Sequence, residues 1–308
     1  MAAIMASCGQ SRRGNPKISE GTVEVPGGKI WYRIAGEDKK GIPLLTVHGG
    51  PGAPHEYMDP LKALSDERPV IFYDQLGCGW SDRPEDTTLW NVPRFVDELD
   101  ALCNALELKK VHILGQSWGS MLAVEYMLRK QPARVKSLIL SGPYLSSPLW
   151  SKDQRDWIDD LPDSFKDTIL KYEAEKNYGT PAYQEAVTAF YQLHLCRMDP
   201  WPEELLLSME HMGTAVYEYM WGPSEFTLTG TLREADLTSR LSELSVPVLF
   251  TCGEFDEARP ETVAYFQSLV PGSQMHVFQG ASHSHILEQP NEYNAVIKAF
   301  LEKQDSGK

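Results

Sequence analysis

The feature that most constrains this chain is a G-x-S-x-G pentapeptide at residues 115–119. A short, mostly apolar run (residues 111–114) precedes it, and residues 121–128 follow with a helical pattern. This order of strand, turn and helix is the setting that a nucleophile elbow requires. The two glycines let neighbouring backbones come close to so sharp a turn. A chance pentapeptide in a loop is the competing interpretation, but the setting favours an elbow that presents Ser117 above a sheet.

Composition excludes several classes of partner. The chain has 308 residues and a formal net charge of −14, whereas nucleic-acid-binding proteins present basic patches. No apolar run is long enough to span a bilayer, and the acidic balance disfavours an anionic membrane surface. The five cysteines, an odd number without C-x-x-C spacing, indicate neither a disulfide framework nor a zinc site. Since no signal peptide is visible at the start, we expect a cytoplasmic protein.

Strand and helix patterns alternate along most of the chain, which is typical of an α/β fold with a mostly parallel sheet. A hairpin is predicted first, with strands at 22–25 and 29–34 joined by a Pro-Gly-Gly turn. Further strands are predicted at 44–47, 70–73, 111–114, 135–140, 246–251 and 275–278, and helices at 95–106, 121–128, 260–269 and 291–301. Residues 1–21 are predicted to form a flexible tail.

The alternation stops between residues 143 and 244, where the pattern is helical, rich in aromatic residues and interrupted by prolines. Helices without intervening strands indicate a cap inserted over the sheet. The core is therefore expected to comprise residues 22–142 and 245–308. Aromatic residues of such a cap pack its own interior more often than they line a substrate site, so none of them is assigned a role.

Candidate partners for Ser117 lie in two late loops. A serine hydroxyl is a weak nucleophile unless a base accepts its proton and a third group orients that base. Asp256 and His283 follow the serine in the Ser…Asp…His order of α/β-hydrolases, each in a loop just after a strand. Glu254 and Glu257 are alternative candidates for the acid, and His285 is an alternative candidate for the base. His283 is preferred to His285 because it is nearer the end of the last strand.

Two glycine-containing loops follow earlier strands. Residues 48–52 (HGGPG) can bring a backbone N–H to a ligand, and an acyl-transfer enzyme needs such a donor besides the N–H of Trp118. A tight turn without chemistry explains this loop equally well. Asp74 and Asp82, in the loop after the strand at 70–73, precede the serine in the chain. They are therefore expected to be structural, bonded within their own loop.

Five segments together resemble the proline iminopeptidase family of α/β-hydrolase aminopeptidases, which carry a helical cap. The segments are residues 48–52, 74–81, 115–120, 221–230 and 253–257. The last two resemble the tricorn-interacting aminopeptidase branch in particular. The likeness extends from the first hairpin to the last helix. One departure is Gln116, where the family commonly has glycine. Because this residue adjoins the elbow, the resemblance does not define the shape of the acyl pocket.

The resemblance implies a role for each matched residue. Ser117 would be the nucleophile, Asp256 the orienting acid and His283 the base. The N–H groups of Gly50 and Trp118 would form the oxyanion hole. Two acids would hold the free α-ammonium of the substrate, Glu225 from the cap and Glu257 beside the triad acid. Two carboxylates in a partly dry pocket bind one ammonium and disfavour a blocked N-terminus.

The expected activity is that of a serine aminopeptidase releasing N-terminal proline, and other apolar residues, from short peptides or aminoacyl amides. No metal or cofactor is expected, and the simplest expectation for the oligomeric state is a monomer. An amino-acid amidase or esterase would use the same triad. A non-catalytic binding protein of this fold is disfavoured because a receptor does not need all three triad residues.

Overall fold

The computed structural model describes residues 16–306. Eight strands form one sheet in the spatial order β1-β2-β4-β3-β5-β6-β7-β8. Pairing is parallel except where β2 meets β1 and β4, so the predicted α/β, mostly parallel sheet is confirmed. The strands are β1 (Ile18–Val25), β2 (Gly28–Ala35), β3 (Leu44–Val47), β4 (Val70–Tyr73), β5 (Val111–Gln116), β6 (Val135–Ser141), β7 (Val248–Gly253) and β8 (Gln274–Phe278).

The central strands are wholly buried, and their side chains are mostly apolar because helices cover both faces of a parallel sheet. Every residue of β3, β4, β5 and β7 is buried. The helices that follow core strands are α1 (Val92–Ala105), α2 (Trp118–Lys130), α8 (Pro260–Ser268), α9 (His285–Glu288) and α10 (Pro290–Asp305). No helix of the described residues is both long and apolar enough to cross a membrane.

The first strand begins earlier than predicted. It starts at Ile18 and pairs with β2 along its whole length, from Ile18 opposite Ala35 to Val25 opposite Gly28. The boundary of the predicted tail at residue 21 is therefore wrong by a few residues, while residues 1–15 lie outside the described part. Exposed and half-buried residues alternate along β1. An edge strand of this kind needs little apolar sequence, so its start carries no hydrophobic signal.

Five α-helices and no strand of the sheet lie between β6 and β7, in a segment that the structure describes completely. They are α3 (Ser147–Asp159), α4 (Asp163–Glu175), α5 (Pro181–His194), α6 (Glu203–Glu210) and α7 (Thr214–Met220). Residues 143–244, which we call the cap, have a small apolar core of their own. Ile158, Ile169, Tyr183 and Phe190 are among its buried members.

The turn between β5 and α2 depends on two close backbone approaches. A Cβ on Gly119 would lie 2.0 Å from the carbonyl oxygen of Val47 in β3. A Cβ on Gly115 would lie 2.3 Å from the carbonyl oxygen of Gly119. Real Cβ atoms do not approach backbone so closely, so a side chain at either position would separate α2 from the sheet.

We predict that Gly119→Ala lowers the free energy of unfolding by about 1–3 kcal/mol or more, because the rigid backbone of β3 has to move. Gly179→Ala is the matched control, since a Cβ there would meet nothing within 4 Å. That control should change stability by less than about 0.5 kcal/mol. Denaturant unfolding of both variants measures the difference. Equal stabilities would contradict the packing argument.

Candidate active site

Ser117 occupies the turn between β5 and α2 with a left-handed backbone, φ 54°. A non-glycine residue in this region costs about 1–3 kcal/mol and persists only where the surroundings enforce it. Here the N–H of Ser117 donates to the carbonyl of Ser141 at 2.9 Å, and its own carbonyl accepts the N–H of Ser120 at 2.8 Å. The side chain reaches a cavity of about 270 Å³ between core and cap. The predicted elbow geometry is therefore present.

Asp256 lies in the loop after β7 and is completely buried. Its carboxylate accepts the backbone N–H of Gly253 and that of Ala258, each at 2.9 Å. Its Oδ1 also lies 2.6 Å from Nδ1 of His283. Burial alone would raise the pKa of Asp256, but the charges and hydrogen bonds of the facing histidines outweigh it and hold the pKa well below its usual range. The group is therefore an ionised acceptor for His283.

The two candidate histidines occupy different environments. His283 lines the cavity together with Ser117. His285, the first residue of α9, is fully buried, with Nε2 2.8 Å from Oγ of Ser141 and 3.2 Å from Oγ1 of Thr251. Its Nδ1 is 3.4 Å from Oδ2 of Asp256, behind the acid. Only His283 of this pair combines a short bond to Asp256 with access to the cavity.

Burial pushes the pKa of His283 down, but Asp256, through its charge and hydrogen bond, and two neighbouring glutamates raise it to about 9. A base must be neutral to accept a proton. These neighbouring charges therefore favour the protonated form of His283 near neutral pH, which is the form that cannot accept a proton.

Two glutamates act on His283, one fully buried and one half-buried. Glu257 is completely buried, and neither of its carboxylate oxygens has a hydrogen-bond partner among the described residues. Its Oε2 lies 3.8 Å from Nε2 of His283. Glu225, from the cap, accepts the hydroxyl proton of Tyr217 at 2.7 Å. Burial raises the pKa of both acids, and the charge of Glu225 raises that of Glu257 further. Among the described residues, no lysine or arginine forms an ion pair with either.

One of the two expected oxyanion donors lies at the cavity. Gly50 lines it together with Ser117. No hydrogen bond within the described part of the chain uses the N–H of Gly50. Trp118 is the first residue of α2, so its N–H has no partner inside the helix. Neither N–H group has a hydrogen-bond partner among the described residues, and their role as oxyanion donors stays a prediction.

The cap is hydrogen-bonded to both loops that carry the acid and the base. Trp157 of α3 donates its indole N–H to the carbonyl of Asp256 at 2.8 Å, and Gln154 donates to the carbonyl of Glu257 at 2.9 Å. At the end of α5, the carbonyl of His194 accepts the N–H of His283 at 2.9 Å. The cap thus helps to hold the acid and base loops as well as covering the cavity.

Several residues at the site were not identified from the sequence. The aromatic residues of the cap received no role, yet Tyr191 and Tyr217 line the cavity and contact Glu225 through their hydroxyls. Tyr57, in a 3₁₀ helix (His55–Asp66), bonds to Oε1 of Gln116 at 2.7 Å. No motif distinguishes these tyrosines from core residues. Only the departure at Gln116 was a usable signal.

Asp74 has the structural role that was expected. Its Oδ1 accepts the backbone N–H of His55 at 3.0 Å and lies 2.7 Å from the imidazole Nδ1 of the same residue. Its Oδ2 accepts the N–H of Trp80 at 2.9 Å. Asp82 likewise accepts the backbone N–H of Lys29 at 2.8 Å. These carboxylates join loops to the sheet.

Fold and site together define an α/β hydrolase, and residues 42–290 match the family model of the alpha/beta hydrolase fold. A proline iminopeptidase of Heyndrickxia coagulans is 45% identical over 92% of this chain and 98% of its own length. One from Thermoplasma volcanium is 39% identical over 93% and 98%. The crystal structure of proline iminopeptidase from Mycobacterium smegmatis superposes with a TM-score of 0.88 at 37% identity, covering 94% of this chain and 99% of that one. The chain belongs to the proline iminopeptidase family.

We predict different outcomes for the two histidines. His283→Ala should lower kcat by about 10⁴-fold or more, because both the proton acceptor and its orientation are lost. His285→Ala should remain active within about tenfold, while losing about 1–3 kcal/mol of stability from its buried hydrogen bonds. Steady-state kinetics on an activated ester and denaturant unfolding separate the two effects. An inactive, folded His285→Ala beside an active His283→Ala would reverse the assignment.

Proposed function

We propose that this protein is a serine aminopeptidase that releases an N-terminal proline, and other apolar residues, from short peptides through an acyl-enzyme. The observation that carries this proposal is Glu257, a fully buried carboxylate beside His283 that has no hydrogen-bond partner within the described part of the chain. A buried carboxylate is costly unless it is paired. A substrate ammonium held between Glu257 and Glu225 supplies the missing partner.

The chemical steps follow from the positions of the side chains. Oγ of Ser117 attacks the carbonyl of the first residue while Nε2 of His283 takes the hydroxyl proton, and Asp256 holds the resulting imidazolium. The N–H groups of Gly50 and Trp118 bind the oxyanion. Collapse breaks the C–N bond, and His283 gives its proton to the departing amine. Water then repeats the sequence on the ester and frees the amino acid and the serine.

Specificity for the first residue follows from the anchoring of the ammonium. If Glu225 and Glu257 hold the N-terminus, only the first peptide bond reaches Ser117. A protonated prolyl nitrogen has two N–H donors, which two carboxylates can satisfy. Leu205, Met209 and Met212 line the cavity, and these apolar side chains favour an apolar first residue.

Cysteine usage supports the expected cytoplasmic location. Cys78, Cys103, Cys196 and Cys252 are free and buried, as is common where thiols stay reduced. Cys8 lies outside the described residues. The proposed substrates are accordingly short peptides with a free N-terminus in that compartment.

Ser117→Ala should leave a folded protein with kcat reduced by about 10⁴-fold or more on a prolyl arylamide, because the nucleophile is lost while binding and oxyanion contacts remain. Single-turnover mass spectrometry of the wild type should also trap a prolyl ester on Ser117. Normal turnover of the alanine variant would exclude the acyl-enzyme route.

Glu257→Gln and Glu225→Gln should each cost about 2–5 kcal/mol in kcat/KM for a prolyl arylamide, because one partner of a buried charge pair is removed. Hydrolysis of a simple activated ester should change far less, since it has no amine to hold. Glu254→Gln is the matched control in the same loop, where the carboxylate accepts the N–H of Gly280 instead. N-acetylation of the substrate should abolish cleavage by the wild type. Equal cleavage of blocked and free substrates would point to a general amidase or esterase.

A further inference from the structure

Gln116 joins the oxyanion turn to the catalytic base. It is the last residue of β5, its side chain is buried, and it lines the cavity. Its Oε1 lies 2.7 Å from the hydroxyl of Tyr57, and its Nε2 lies 2.9 Å from Nε2 of His283. The hydroxyl of Tyr57 is in turn 2.7 Å from the N–H of Gly49. The hydrogen bonds thus run without a gap from the glycine turn to the base.

In this series of hydrogen-bonded groups, each group accepts a hydrogen bond from the group before it and donates one to the group after it. Tyr57 accepts the N–H of Gly49, so its own proton is free to go to Oε1 of Gln116. The amide NH₂ of Gln116 then faces His283. An amide nitrogen only donates, so this contact requires a lone pair on Nε2 of His283. The histidine proton is therefore on Nδ1, where it is donated to Asp256.

We propose that Gln116 is a positioning residue for the base: it stabilises the neutral form of His283 with the proton on Nδ1 in the free enzyme, and it yields the Nε2 lone pair to Ser117 once substrate is bound. This inference rests on the proposed role of His283 as the base.

The charged groups around His283 show why such a residue is needed. Asp256 contacts Nδ1 at 2.6 Å from the loop after β7, and Glu257 lies 3.8 Å from Nε2. Glu225 adds its charge from the cap. All three favour an imidazolium, which cannot take a proton from Ser117. A hydrogen bond donated to the neutral ring stabilises that form and so lowers the pKa of His283.

Bound substrate changes this balance. The ammonium of the substrate, paired with Glu225 and Glu257, cancels the two charges that favour the imidazolium. The neutral base then no longer needs the amide, and Ser117 can compete for the same lone pair. Loss of the Gln116 amide should therefore change the pKa of His283 more in the free enzyme than in the substrate complex.

The test is an NMR titration of the His283 imidazole in the free enzyme, with Gln116→Leu and Gln116→Glu beside the wild type. Loss of one donated hydrogen bond should raise the pKa of His283 by about half a unit to one unit in Gln116→Leu. Gln116→Glu, which places an acceptor against Nε2, should raise it further. In the profile of kcat/KM against pH, the apparent pKa of the acidic limb should rise by the same amount. In the profile of kcat against pH, the apparent pKa of the acidic limb should rise less.

Tyr57→Phe is a second variant. It removes the hydroxyl that orients the amide, so it should shift the titration in the same direction by a smaller amount. Gln184→Leu, at an exposed glutamine of α5, is the control and should leave the titration unchanged. Denaturant unfolding identifies folded variants.

An unchanged titration of His283 in folded Gln116→Leu and Gln116→Glu overturns the proposal. If Gln116→Leu fails to fold, an unchanged titration in Tyr57→Phe overturns it instead. Failure of the aminopeptidase proposal is a separate result, because it shows as equal cleavage of acetylated and free substrates, whereas the titration uses no substrate.

Discussion

The close crossing of α2 over the sheet is the constraint on which the rest of the site depends. Gly119 lets the start of α2 approach the carbonyl oxygen of Val47, and this approach holds Ser117 in its left-handed conformation. The strain of that conformation is met by packing that the whole core supplies. The side chain of Ser117 consequently reaches the cavity without further ordering, which is the kind of preorganisation that acyl transfer needs.

Close to this rigid turn the site brings together acidic side chains, of which Asp256 and Glu257 are completely buried. Asp256 is compensated by backbone donors and by His283. Glu257 has no hydrogen-bond partner among residues 16–306. Asp256 is therefore fully compensated by its neighbours, whereas Glu257 is not. The same charges that would attract a substrate amine also hinder the base, so binding and catalysis are coupled through electrostatics.

The cap has two physical functions in this arrangement. It contributes Glu225 and apolar side chains to the cavity wall, and its helices α3 and α5 bond directly to the acid and base loops. A motion that lifted α3 away would break the bond between Trp157 and the carbonyl of Asp256.

Local sequence patterns were sufficient for the strand, elbow and helix around Ser117, for the order of the acid and base loops, and for the helical insertion. These features depend on near-neighbour backbone preferences and on the burial of apolar runs, which are written into short stretches of residues. The beginning of β1 was missed because an exposed edge strand has little apolar signal.

The remaining features depend on residues far apart in the chain. Three features depend on how separate loops pack. His283 rather than His285 faces the cavity, and Glu257 has no hydrogen-bond partner among the described residues. Gln116 contacts His283 directly and binds Tyr57, 59 positions away, with the other end of its amide. Residues only one or two positions apart in a loop have nearly the same local sequence pattern, so the sequence does not distinguish them. The packing of distant segments decides which of these side chains faces the site.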